Sequence, residues 1–155
     1  MKSKLTVGVA AVVVTMATPF IAGWEGLSTT AYRDIVGVPT VCYGETRGVK
    51  MGDTYTKAEC EDMLIKAVGE YYMGLRAYMT NPNIPVGVQA SMLELAYNVG
   101  IQAAGKSTMM KLANQGNYKA ACNELKKWVK ADGKTVKGLV NRRADSKVTL
   151  CMRGL

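Results

Sequence analysis

Glu25, Asp34 and Thr40 are the residues of this 155-residue chain whose types and spacing suit a reaction. Eight residues separate the two acids and five separate Asp34 from Thr40, in the stretch Glu25-GLSTTAYR-Asp34-IVGVP-Thr40. Hydrolysis of a glycosidic bond needs such a set. One carboxyl protonates the leaving oxygen, and a second carboxylate activates or holds water on the other face of the sugar. A hydroxyl can help position that water. Two acids flanking a turn are otherwise an ordinary solvated pair, so the reading depends on what surrounds them.

Composition narrows the chemistry. The chain has no histidine. That removes the usual ligands of zinc amidases and zinc peptidases and the base of Cys–His and Ser–His–Asp hydrolases. Acid–base work is left to Asp, Glu, Lys, Tyr or Cys. Cysteines stand at 42, 60, 122 and 151 without a CxxC spacing, so no metal site is expected, and no cofactor is required. An even cysteine count in an exported chain reads as disulfides, and four buried free thiols is the other reading. Twenty Lys and Arg against twelve Asp and Glu give a net charge of +8; solubility is the plain reading of that excess and attraction to a polyanion the sharper one. No recognised nucleic-acid motif or aromatic–basic platform is present. Nucleic acid is therefore not expected as a partner, and an anionic bacterial envelope is.

The elements that must position the triplet follow from patterning. The length suits one compact domain. Leu5 to Trp24 runs for 20 residues without a charge, behind Lys2 and Lys4. As a helix it spans ~30 Å, enough to cross a bilayer core, with the lysines held in the cytoplasm. Half of it is Ala, Gly, Thr or Pro, which gain little on transfer compared with Leu or Ile. The span inserts but is weakly held. A cleaved signal peptide, an ordinary anchor and a signal anchor that later leaves the membrane are all open; a cut after Ala17 would put Pro19 just beyond it. After Trp24, alternation in Pro39–Tyr43 among frequent glycines predicts a small antiparallel sheet. Thr56 with Glu59 makes a capping box that opens a helix to about Tyr78. Asn81-Pro82-Asn83-Ile84-Pro85 breaks it. Val88, Met92, Leu95 and Ala96 stripe the next helix, which Gly100 ends. Further helices are predicted over Ser107–Asn114, Asn117–Ala131 and Leu139–Met152. The fold class is α+β, with a small sheet lobe and a helical lobe joined by a long helix, and a cleft between lobes as the place for a saccharide.

The spacing E-x(8)-D-x(5)-T and its neighbours resemble the phage-type lysozymes, glycoside hydrolase family 24. Ile35-Val36-Gly37-Val38-Pro39-Thr40-Val41-Cys42-Tyr43-Gly44 is similar to that family's hairpin, and Thr56-Lys57-Ala58-Glu59 to the start of its long connecting helix. Tyr97-Asn98-Val99-Gly100 resembles its Y/F-N/Q-x-G turn, and Leu125–Trp128, Gly138-Leu139 and Asn141-Arg142-Arg143 its C-terminal helices. The likeness covers roughly Trp24 to the end. One departure is Glu45, where the family usually has His, which puts a local ion pair in doubt more than the chemistry.

The resemblance implies a lysozyme-like fold and an N-acetylmuramidase that cuts β-1,4 bonds of peptidoglycan with inversion. Glu25 would be the general acid, ending the first helix at the cleft floor and partly withdrawn from water; Asp34 and Thr40 would arrange the water. Arg142 or Arg143 would pair with Glu25. Tyr97 and Asn98 would face the cleft, with Asn98 either bonding an N-acetyl group or capping its helix, and Glu45 would touch substrate or be a solvated turn acid. Family topology implies Cys42–Cys60 in the smaller lobe and Cys122–Cys151 between helices of the larger one. Trp128 is expected in the core, and Lys126, Lys127, Lys130, Lys134 and Lys137 on one basic face. The N-terminus resembles that of signal-anchor-release endolysins. This divides the chain into an anchor, 1–24, and a catalytic domain, 25–155, held at the host inner membrane through residues 5–24 and then released to the periplasm as a monomer. A lytic transglycosylase, which needs one Glu and no water, and an inactive wall-binding module are the alternatives.

Overall fold

The computed structural model describes Lys2–Leu155, with side chains from Gly8 onward; the side chains of Lys2 and Lys4, read above as the cytoplasmic flank, lie outside the described residues. Helix α1 spans Lys2–Glu25. A hairpin follows, β1 (Ser28–Arg33) and β2 (Pro39–Cys42), then the long helix α2 (Lys57–Arg76). The helical lobe continues with α3 (Val86–Val99), α4 (Ile101–Gly105), α5 (Thr108–Asn114) and α6 (Tyr118–Asn123). A two-stranded ribbon, β3 (Lys130–Ala131) and β4 (Lys134–Thr135), leads to α7 (Lys137–Ser146) and a closing π-helical turn, Lys147–Cys151.

Local chemistry explains the boundaries. Thr56 accepts from Glu59 N–H while the Glu59 carboxylate accepts from Thr56 N–H, the reciprocal cap read from the sequence. Gly100, at φ 101°, ends α3 in a conformation that a side chain resists. The helix expected over Asn117–Ala131 is shorter than that. It stops at Asn123, passes through a 3-10 turn at Glu124–Lys127, and gives way to the ribbon. The cause is Asp132-Gly133, both at positive φ (50° and 74°), which make a two-residue hairpin turn between Ala131 and Lys134; Val136 N–H donates to Val129 C=O at 2.8 Å at the open end of the ribbon. The last helix starts two residues before the expected Leu139, and α4 was not anticipated.

Helix α3 is the axis of the core. Every residue from Gly87 to Ala96 is buried. Helix α1 lies on α3 and α2 through a single stripe, Val13, Ala17 and Ile21, all fully buried at helical spacing. Its other face, including Ala11, Val12, Thr15, Pro19 and Gly23, is exposed. At its end the Trp24 indole donates to Asp145 Oδ2 at 2.8 Å, tying α1 to α7. Two disulfides close the ends of the fold. Cys42–Cys60 joins the hairpin to the first turn of α2, and Cys122–Cys151 joins α6 to the closing turn.

Candidate active site

Glu25 is the last residue of α1, so the docking of that helix decides where its carboxyl sits. The side chain keeps 21% of its exposure, and Oε1 accepts from Arg142 Nη1 at 2.9 Å. Of the two arginines read as candidates, Arg142 makes this pair. The other oxygen, Oε2, faces Gly44, where an added Cβ would stand only 3.1 Å away. Gly44 is also at φ 81°, so both space and backbone reserve that position for glycine.

Gly44 arrives there by the hairpin. Tyr32 of β1 faces Thr40 of β2, and Val41 then pairs with Glu45 across a tight turn, with both backbone bonds at 2.9 Å. Thr40 therefore lies four residues before the glycine against Glu25. Its hydroxyl, almost fully buried, donates to Val38 C=O at 2.9 Å. The proton being used there, the lone pairs of Oγ1 are left to accept. Asp34 follows β1 directly. Its Oδ1 accepts from the N–H groups of Val36 and Val38 at 2.9 and 2.8 Å, an Asx turn that fixes the carboxylate plane. Its Oδ2 has no hydrogen bond among the described residues. Ile35 and Val36 stand out into solvent at the tip.

On the helical side Arg142 reaches a second acid. Its Nε donates to Oε1 of Glu94, a fully buried carboxylate on α3, and Arg143 Nη1 approaches the same oxygen at 3.5 Å. Burial pushes the Glu94 carboxyl above the ordinary carboxylate range against the pull of both arginines. Burial acts in the opposite sense on Arg142, but the charges of Glu94 and Glu25 outweigh it and hold that guanidinium charged more firmly than usual. The Glu94 oxygen Oε1 is an acceptor shared by two guanidiniums, which hold the group as a carboxylate anion. Arg143 also donates through Nη2 to Asn98 Oδ1 and through Nε to Trp128 C=O. Asn98 is thus held by an arginine rather than capping α3, and it is exposed. Tyr97 donates its hydroxyl to Tyr43 C=O at 2.9 Å, joining α3 to the hairpin turn beside Gly44. Burial, then the charges of Glu25 and Glu45, push the Tyr97 phenol upward, so it remains a donor.

Glu45 has a partner of its own. Its carboxylate accepts from Arg47, whose Nη1 continues to Glu70 on α2 at 2.6 Å. The position where the sequence put an ion pair in doubt carries one. Trp128 is half-buried against the core, and with Asn98, Val99, Val136, Leu139 and Arg143 it lines a cavity of about 550 Å³. None of Glu25, Asp34 and Thr40 lines that hollow, which is separate from the carboxyl cluster. Of the basic face, Lys130 and Lys134 lie exposed on the ribbon and Lys127 pairs with Glu124. No cluster of His, Cys, Asp and Glu suited to a metal occurs among the described residues.

Two residues of the cluster were not found from sequence. Glu94 is the single charge within Val86–Val99, and that isolation in an apolar stripe was its signal. The contact of Gly44 with Glu25 had none, because it depends on how α1 docks.

The chain matches the family model described as Phage lysozyme over residues 22–146. It is 42% identical over 122 residues to a SAR-endolysin of Enterobacteria phage P21, covering 78% of this chain and 73% of that one. Among solved structures it superposes on an endolysin from Escherichia coli O157:H7 phage FAHEc1 with a TM-score of 0.79 at 29% identity, covering 87% of this chain and 90% of that one. The active form of the P1 phage endolysin Lyz shares the fold, with a TM-score of 0.79 at 23% identity over 94% of both chains.

Proposed function

The chain belongs to the phage lysozyme family and is a peptidoglycan-lysing glycosidase of the endolysin kind; on that premise we propose that it hydrolyses the β-1,4 bond between N-acetylmuramic acid and N-acetylglucosamine with Glu25 as general acid. The observation that carries the assignment is the asymmetry of the Glu25 carboxyl. Oε1 is engaged by Arg142, while Oε2 faces a glycine. The proton then belongs on Oε2, the oxygen without the cation, and the missing side chain of Gly44 leaves it open toward the hairpin. From there it passes to the glycosidic oxygen as the C–O bond breaks.

Water completes the reaction from the opposite face. Asp34 Oδ2 and Thr40 Oγ1 are both acceptors. A water that donates one proton to each keeps a lone pair for the anomeric carbon, and Asp34 takes up the proton that is lost. That polarity supports inversion, and it argues against a transglycosylase, which closes the sugar on itself without water. Asn98, Tyr97 and Arg143 support the helical side of the cleft, and Glu45 the hairpin side through Arg47.

Residues 1–24 are read as the anchor and 25–155 as the catalytic domain. Gly8–Glu25 is long and apolar enough to cross a membrane by length and composition, and the SAR-endolysin relative supports passage from the host inner membrane to the periplasm. While the segment spans the bilayer, Val13, Ala17 and Ile21 are in lipid and Glu25 lies at the interface, so the enzyme is inactive by geometry. Docking on release places Glu25. The enzyme then acts as a monomer, since its acid, water-holding and arginine groups all come from one chain.

The test is Glu25→Gln in oxidised full-length protein on purified sacculi, with mass spectrometry of the products. Wild-type protein is expected to release hydrated reducing ends, and the variant to fold with an unchanged melting temperature and lose about 10²–10⁴-fold in rate. A folded variant keeping more than a few per cent of activity removes Glu25 from the role. Products with 1,6-anhydro ends identify a transglycosylase, and binding without release identifies an inert wall-binding module.

A further inference from the structure

Glu94 has no place in the reaction as described. It is a fully buried acid on the most buried helix, the only charge within α3, and its hydrogen-bond partners are the two arginines of α7. An apolar residue of the same size would serve stability as well or better, because burying a carboxylate costs more than its partners usually return. Its contacts say what it does. Arg142 lies between two carboxylates, with Nε on Glu94 and Nη1 on Glu25. The buried atoms left without partners among the described residues, Glu94 Oε2 and Arg142 Nη2, are a complementary acceptor and donor within that same pair. Arg143 adds a second guanidinium at the Glu94 oxygen.

We propose that Glu94 is a positioning residue for the general acid: it aims Arg142 at Glu25 and neutralises the second positive charge that Arg143 brings to the site. With Glu94, two carboxylates face two guanidiniums. Without it, Glu25 alone faces both, and the surplus positive charge favours the deprotonated form of a group whose work requires its proton. The charged and titratable groups tied to Glu25 are Arg142 and Arg143 from α7 and Tyr97 from α3, with Glu94 behind the arginines; Glu45 and Arg47 of the hairpin turn act on the same Tyr97 phenol. Of these, Glu94 and Arg143 can be changed without removing a contact to Glu25.

This inference rests on Glu25 being the acid, and the experiment separates the two. The pH–rate profile of the full oxidised chain on purified sacculi is measured for wild type, Glu94→Gln, Arg143→Gln, the double variant and Glu25→Gln. Rates are scaled to folded protein from thermal melts. Glu94→Gln is expected to move the alkaline limb to lower pH by about one unit, the effect of one charge at such range. Near neutral pH that costs about tenfold in kcat, with KM changed less than twofold. Arg143→Gln is expected to move the limb the opposite way, and the double variant to bring it back toward wild type. A residue needed only for folding does not produce opposite shifts and mutual rescue. An unmoved limb in folded Glu94→Gln overturns the proposal. If that variant does not fold, an unmoved limb in Arg143→Gln overturns it instead. An active Glu25→Gln overturns the underlying reading whatever the other profiles show.

Discussion

Helices α1 and α3 are both apolar, yet they use their hydrophobicity differently. Helix α3 is buried on all sides from Gly87 to Ala96, and its composition matches its surroundings. Helix α1 buries only the stripe of Val13, Ala17 and Ile21 and turns Ala11, Val12, Thr15, Pro19 and Gly23 to water. Packing on the lobe requires one apolar face, not twenty uncharged residues. The surplus on α1 makes sense for a second environment, the bilayer core. Its weakness makes sense too, since apart from Val12 and Pro19 the outward residues are small ones that either solvent accepts. Thr18 even hides its hydroxyl on Val14 C=O at 2.7 Å. One helix has been fitted to a single environment and the other to two.

The comparison can be broken by making α1 fit one environment only. Replacing Gly8, Ala10 and Ala11 by Leu adds ten carbons to the span, worth up to ~8 kcal/mol of membrane retention at ~0.8 per buried CH₂. Cell fractionation is expected to find this variant wholly in the membrane, with lysis abolished or long delayed. Normal lysis by that variant would rule out release as the activating step.

Next in size are two truncations of fully buried side chains, Ile21→Ala on α1 and Leu93→Ala on α3. Each is expected to cost about 2–5 kcal/mol in the folded enzyme. They should part company in activity. Ile21→Ala loosens the helix that carries Glu25, so activity falls at temperatures where the lobe is still folded. Leu93→Ala loses activity only along with its melting transition. Identical behaviour of activity and melting in both variants would deny α1 its separate docking step.

A third substitution separates the two environments at one position. Thr15 faces outward and is exposed. Thr15→Lys is expected to change the melting temperature of released enzyme little, within about 0.5 kcal/mol, while costing about 2.5–3.5 kcal/mol of membrane insertion near the span centre. Early, partly soluble enzyme is the outcome to look for in fractionation. The smallest effect concerns the hairpin, which both states of α1 share. Burial raises the Glu45 carboxyl, but hydrogen bonds and charge from Arg47 and the Thr46 N–H together hold it below its ordinary 4.5. Its contribution is therefore fully present above about pH 5 and is lost as pH falls through the lowered value. Melts of wild type and Glu45→Gln should differ, by under ~1 kcal/mol since Arg47 is largely solvated, at neutral pH and converge in acid.

How much of this was legible follows from the range of the forces involved. The Thr56–Glu59 cap, the Gly100 stop and the stripe of Val88, Met92, Leu95 and Ala96 are local, and they stand in the structure where the sequence put them. The candidate triplet of Glu25, Asp34 and Thr40 was legible as a pattern because its members lie close in sequence, from the end of α1 to β2. The ribbon after Trp128 was missed although Asp132-Gly133 is a strong turn signal, because the lysines around it have no periodicity and suit an exposed helix face equally well. Glu94 was missed for a different reason. An acid on a helix is nearly always solvated, and only the arrival of Arg142, 48 residues later, makes this one tolerable in the core. The choice between Arg142 and Arg143 likewise needed the rotation of α7, which no single-residue property encodes.

The order of the chain gives the site a timetable. Glu25 is the first of its residues to leave the ribosome, and the arginine that holds it comes 117 positions later. On the proposed release route, the segment from α2 to the Cys122–Cys151 bridge folds and oxidises while α1 is still in lipid. The earliest part of the site to be made is then the last to arrive. On that route the moment of lysis would be set by the departure of a single helix from lipid, whatever the pace at which the rest of the enzyme matures.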